Sequence, residues 1–226
     1  MRGPVRLPRG EAVLPVLLCA LLLMIFVAWP LADLGLLHRP LFGMMLVVIV
    51  LAGLLSLGGT GRAGWPVVAL GTLIFALQAM VALAPSPWLI VASDSVAIAF
   101  LLLLAAVLLR GVFGPGRVTT HRIIGAVVVY LLAALFFAVG YDLVERLAPG
   151  AFNMGPEPTP NTPAGARFFY LSIITLTSVG FGDMTPIHPV ARALVMAEAL
   201  LGQVYTTILL ARLVSLEIEH RRTPRG

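Results

Sequence analysis

Apolar residues fall in six long runs, approximately 12 to 29, 40 to 57, 65 to 84, 87 to 109, 121 to 147 and 188 to 215. A bilayer core about 30 Å thick asks for roughly 20 apolar helical residues, so each run predicts a membrane-spanning helix. The breaks hold turn residues: Pro30 and Asp33, GGTGRAG over 58 to 64, Pro85 and Pro87, and RGVFGPGR over 110 to 117. Trp29, Trp65 and Trp88 stand at predicted ends, where interfacial aromatics concentrate. Between the fifth and sixth runs, PGAFNMGPEPTPNTPAG (149 to 165) predicts an exposed, irregular turret. The next stretch, ARFFYLSIITLTSVGFGD (166 to 183), is apolar again but too short to cross and return as two helices. It predicts a re-entrant element, a short helix going part way in followed by extended backbone coming out.

Composition agrees with a membrane protein. The 226 residues are 60% hydrophobic and 11% charged, with a mean hydropathy of +1.03, more apolar surface than a soluble domain of this length can hide. The fold class expected is an all-α membrane protein of six transmembrane helices, with the re-entrant element between helices five and six. All 15 basic residues are arginine, and a pI near 10.3 taken alone suggests a nucleic-acid binder. The arginines instead mark topology. With the N-terminus cytoplasmic, Arg2, Arg6, Arg9, Arg62, Arg110, Arg117, Arg122, Arg212, Arg221, Arg222 and Arg225 fall inside, against Arg39, Arg146, Arg167 and Arg192 outside. That 11 to 4 split obeys the positive-inside rule and predicts that both termini are cytoplasmic. The first run begins like a signal peptide, but it is long for one and no A-x-A-like site clearly follows. One cysteine, Cys19, excludes an intramolecular disulfide, and its apolar run suits packing.

Non-helical backbone at membrane depth survives only where protein buries it or a watery cavity receives it, so residues 177 to 183 predict the wall of a pore. Gly180 and Gly182 permit positive φ, which lets successive carbonyls face one axis. A column of carbonyl oxygens can replace the water around a dehydrated monovalent cation.

The motif TLTSVGFGD resembles the potassium-channel family, in which four T-V-G-Y-G loops ring the ion. The matching residues are Ser178, Val179, Gly180, Phe181 and Gly182, followed by Asp183, with Thr175 and Thr177 in the family pattern. Ser stands for the usual Thr and keeps the hydroxyl that contributes to the innermost ion site; Phe stands for Tyr, as in the ether-à-go-go-related branch. By that resemblance K+ is held by the carbonyl oxygens of Ser178, Val179, Gly180 and Phe181 and by the Ser178 hydroxyl. Tyr170 occupies the place of a supporting Trp and is expected to donate to Asp183, unless it is a plain interfacial tyrosine. Gly202, twenty residues after Gly182, has the spacing of the hinge glycine of the inner helix, the alternative being close helix packing. Gln203, Thr206 and Thr207 suit a wet cavity wall. The resemblance covers about 121 to 215.

Asp94 and Glu198 lie inside predicted spans, where an acid is a functional hypothesis by default. Asp94 is expected to be protonated or bonded to Ser93 or Ser95, and Glu198 to support the filter, with direct ion contact as the second possibility. The fourth run, 87 to 109, contains no arginine, so no voltage-sensing ladder is expected. In the outer segments Asp142, Glu145, Glu157 and Asp183 outnumber Arg146, Arg167 and Arg192. Asp142 and Glu145 are therefore expected as acids of the outer mouth that concentrate cations.

The expected organisation is a four-helix region over 1–117, a pore module over 118–216, and a short cytoplasmic tail over 217–226, too short for a ligand-sensing domain. The function expected is that of a passive, non-enzymatic, potassium-selective channel. It is expected to work as a homotetramer in the lipid of a plasma membrane, the inner membrane of a bacterium. No cofactor beyond the permeant K+, no nucleic acid and no small-molecule substrate is expected. A non-selective cation channel, a potassium transporter and a non-conducting regulatory subunit remain as alternatives, the transporter being weak because such chains repeat the loop.

Overall fold

The computed structural model describes residues 13–28, 31, 65–84, 86–113, 119–155 and 164–222. Among them the chain is mostly helical. Helix α1 (Val13–Leu23) runs on into a π-helical turn, Met24–Ala28, and is followed by α2 (Trp65–Leu83), α3 (Pro87–Val112) and α4 (Thr120–Leu147). Then come strand β1 (Phe152–Asn153), helix α5 (Ala164–Leu176), strand β2 (Thr185–Pro186) and helix α6 (Pro189–Arg222).

Local chemistry explains where these helices start and stop. Ser86 is extended, at φ −132°, and Pro87 takes the first helical position of α3, where its missing N–H would have had no partner anyway. Thr119 caps α4 by accepting the Arg122 amide at 3.4 Å. At the far end of α4 the Glu145 carboxylate accepts two amides beyond the helix, Gly150 at 2.8 Å and Phe152 at 3.0 Å. Gly150, at φ +82°, makes the turn between them.

The runs at 87 to 109, 121 to 147 and 188 to 215 appear as α3, α4 and α6, and each of these is long and apolar enough to cross a membrane. Helix α6 continues to Arg222, into the segment expected as a tail. Helices α1 and α2 carry shorter apolar stretches, Leu14–Val27 and Val68–Val81, while the expected span at 40 to 57 lies outside the described residues. This is a membrane protein with three long apolar helices among the described residues.

Helix α4 is the centre of the packing. It packs against α1, α3, α5 and α6, and α5 in turn meets α6. Leu17, Leu21, Ile74, Phe100, Leu104 and Leu132 are fully buried in one cluster. The rings of Tyr141, Phe152 and Phe168 meet pairwise at 5.3, 6.3 and 5.0 Å and fasten β1 onto α4 and α5. The ribbon pairs Phe152 with Pro186 and Asn153 with Thr185, so the start of the turret is tied to the segment leaving the glycine motif. Helix α6 behaves differently: Met196, Leu200, Val204 and Ile208, four residues apart, all face outward. Toward its C-terminal end Arg212 donates to the Phe113 carbonyl at 2.6 Å and lies 5.4 Å over the Phe113 ring.

Candidate functional site

Helix α5, 13 residues and about 20 Å long, ends where the apolar sequence gives way to Thr177. The Ser178 amide bonds to Thr175 O at 2.9 Å, and the amides of Val179 and Gly180 both reach Ile174 O, at 2.8 and 3.1 Å. The chain leaves the helix through Ser178 at φ +60°, the one non-glycine with positive φ among the described residues. Gly180 follows at +51° and Gly182 at +77°. Left-handed φ thus recurs at every second residue from 178 to 182. In a regular strand successive carbonyls alternate sides; a backbone that changes hand at every second residue departs from that pattern.

Nothing lies within 4 Å of the position a Cβ would take on Gly180 or Gly182. Backbone conformation, and not lack of space, is therefore what calls for glycine there. Residues 178 to 182 are exposed, with Val179 at 53% and Phe181 at 71%. Among the described residues no three His, Cys, Asp or Glu side chains gather as a metal site. The acceptor groups this segment offers are its backbone carbonyls and the Ser178 hydroxyl.

Several residues singled out from the sequence surround it. The Tyr170 hydroxyl lies in the neighbourhood of the Asp183 carboxylate. Thr175 lies on the buried face of α5, and exposed Thr177 turns its hydroxyl back to Ile173 O at 2.7 Å. Gln203 donates its amide to Ser178 Oγ at 2.6 Å. Gly202 lies in the middle of α6 with its Cα against the Leu176 carbonyl, so that a Cβ would overlap that oxygen. Thr206 and Thr207 spend their hydroxyls on α6 itself, at Gly202 O (2.9 Å) and Gln203 O (2.8 Å).

Glu198 is fully buried where α4, α5 and α6 meet, bonded to Tyr141 through Oε2 and to Ser172 through Oε1. Ser172 also lies 2.7 Å from Ala134 O. Tyr130 donates to Leu176 O at 2.9 Å, so α4 supports the end of α5 as well. Tyr130, Tyr141 and Ser172 were not legible as functional in the sequence. The available signal was that Glu198, an acid in an apolar helix, requires donors from its neighbours.

The outer acids are engaged within the chain. Asp142 pairs with Arg146 one helical turn on, at 2.7 Å, and Glu145 holds the turn after α4. Asp94 does not bond to Ser93 or Ser95: Ser95 donates to Val91 O, and the Asp94 carboxylate lies 3.4 Å from Arg146 Nε, an ion-pair contact without hydrogen-bond geometry. A guanidinium is a stronger counterpart for a carboxylate than a serine hydroxyl already satisfied by its own helix. Glu157 lies outside the described residues.

Residues 124–219 match a protein family described as "Ion channel". Protein LctB of Bacillus caldotenax is 35% identical over 137 residues, covering 54% of this chain and 98% of the relative. Two pore potassium channel c of Oryza sativa subsp. japonica is 31% identical over 90 residues, 40% of this chain and 19% of its own length. Inward rectifier potassium channel Kirbac3.1 of Paramagnetospirillum magnetotacticum is 34% identical over 77 residues, 32% of this chain and 22% of its own length. No solved structure matches.

Proposed function

Since the chain belongs to the potassium-channel family, we propose that it conducts K+ passively and selectively across the plasma membrane as a homotetramer. The observation that carries this reading is the left-handed φ at Ser178, Gly180 and Gly182, which suits a run of carbonyls presented to one axis. In this reading Ser178, Val179, Gly180 and Phe181 hold dehydrated K+, α5 is the pore helix, and α6 lines the inner cavity with Gln203 and Thr206. The carbonyl end of α5 carries partial negative charge toward the axis and favours a cation there.

One such segment supplies one wall of a carbonyl ring, so four chains enclose an ion. The outward stripe of Met196, Leu200, Val204 and Ile208 and the exposed Val179 and Phe181 are apolar surfaces for neighbouring subunits or lipid to cover. Conduction involves no catalysis and no cofactor besides the permeant ion. In this reading both termini lie in the cytoplasm of a bacterial cell, and voltage is not sensed by α3, which has no arginine ladder.

The test is cation flux in proteoliposomes containing this chain alone. Selective K+ flux supports the proposal, equal K+ and Na+ flux replaces it with a non-selective cation channel, and absence of flux from folded tetramers replaces it with a regulatory subunit.

A further inference from the structure

We infer that Glu198 is held as the neutral acid, and that its single proton completes a hydrogen-bonded strut positioning the pore helix. The inference rests on reading α5 as that helix. Three oxygen-to-oxygen links run in series: Tyr141 to Glu198 Oε2, Glu198 Oε1 to Ser172, and Ser172 to the Ala134 carbonyl at 2.7 Å. Each link needs one proton. A backbone carbonyl and an ionised carboxylate only accept, while a tyrosine and a serine hydroxyl bring one proton each. Two protons cannot serve three links, so the third belongs to Glu198 Oε1. The order is then Tyr141 O–H to Oε2, Oε1–H to Ser172 Oγ, and Ser172 O–H to Ala134 O.

The surroundings agree with a neutral group. Glu198 is fully buried, and no arginine pairs with it among the described residues. Helix α4 presents Tyr141 and Tyr130 to it, and α5 presents Ser172. A buried carboxylate without a cation is costly, whereas a carboxylic acid with both oxygens bonded is not.

The strut begins and ends on α4 and passes through α6 and α5. One turn further along α6, Gly202 lets Leu176 O come close, and Leu176 is one turn beyond Ser172 on α5. Helix α6 therefore holds the pore helix at two consecutive turns, by a hydrogen bond at Ser172 and by contact at Leu176, next to the residues that lead into Ser178. Ionising Glu198 removes one of the three protons. Ser172 then gives up either Ala134 or Glu198, and the first of the two holds is lost. Glu198 is a positioning residue that acts on the ion path through α5.

Infrared spectra of the full chain in phosphatidylethanolamine–phosphatidylglycerol vesicles test the proton directly. With 13C-carboxyl-labelled glutamate in the wild type, an isotope-shifted protonated-acid C=O band is expected at neutral pH; absence of that band overturns the inference. This reading does not require conduction, so it stays separate from failure of the channel proposal. The positioning role is tested by K+ flux against pH. Wild-type flux is expected to drop severalfold once alkaline titration removes the labelled band. Glu198→Gln, whose amide donates to Ser172 and cannot ionise, should give a level profile over the same range. Wild-type flux that stays level while the band disappears, or a variant profile that falls with the wild type, overturns the role.

Discussion

The side-chain amide of Gln203 lies 2.6 Å from the hydroxyl of Ser178, so α6 bonds directly to the residue at which the chain leaves α5. Ser178 has left-handed backbone at φ +60° without being glycine, a conformation that costs an ordinary residue about 1–2 kcal/mol. The Gln203 bond fixes the hydroxyl of that residue.

Replacing Gln203 with Leu removes that bond. A neutral hydrogen bond contributes about 1 kcal/mol net, so apparent K+ affinity, measured from the concentration dependence of flux, should weaken roughly fivefold. Unchanged affinity would show that Ser178 is held in place without Gln203.

Gly180→Ala should leave the tetramer intact and abolish K+ flux. The added Cβ meets nothing within 4 Å, so overlap is not the cause; φ +51° is. The alanine relaxes toward negative φ and turns a carbonyl off the axis. Normal selective flux in a variant that elutes as a tetramer would reject the filter assignment.

Gly202→Ala separates close packing from hinge motion. The alanine Cβ overlaps the Leu176 carbonyl, and overpacking of this kind costs about 1–3 kcal/mol, so the melting temperature in detergent should drop. Gly111→Ala on α3, with nothing within 4 Å, is the control and should not lower it. A Gly202→Ala protein as stable as wild type but altered in opening would favour the hinge.

Asp94 and Arg146 join α3 to α4 by side chains that are 17% and 38% exposed. Asp94→Asn and Arg146→Gln should each destabilise the protein, and the double variant should lose less than the two losses added, by about 0.5–1 kcal/mol. Strict additivity in thermal unfolding would mean that the contact contributes nothing.

The acids at 142 and 145 give a similar contrast. Were they open to the ion path, neutralising them would reduce inward current at low salt, with the effect screened over about 8 Å at physiological ionic strength. Their bonds to Arg146, Gly150 and Phe152 predict instead that Glu145→Gln lowers stability by about 1–2 kcal/mol and changes low-salt current little.

The helices α3, α4 and α6 and the short α5 were legible because about 20 apolar residues, or an apolar stretch too short to span, are strong local signals. The glycine motif was legible because backbone hand restricts residue type. Partners were not, since they depend on which surfaces pack. Glu198 meets Ser172 and Tyr141, which are 26 and 57 positions away in the chain. Asp94, flanked by two serines, finds its counterpart on another helix. At Gly202 the sequence left two explanations because a hinge and a close approach both ask for glycine; only the position of Leu176 favours one of them.

The contact of Arg212 with Phe113 has a mechanical consequence. It moors α6, toward its C-terminal end, to the end of α3, while Tyr205 fastens the same helix to Ala126 O on α4 at 2.8 Å. An α6 that swings outward at that end must carry both along. On the proposed reading, widening the pore at that end stretches or breaks the bonds to Phe113 and Ala126, so α3 and α4 both resist the motion.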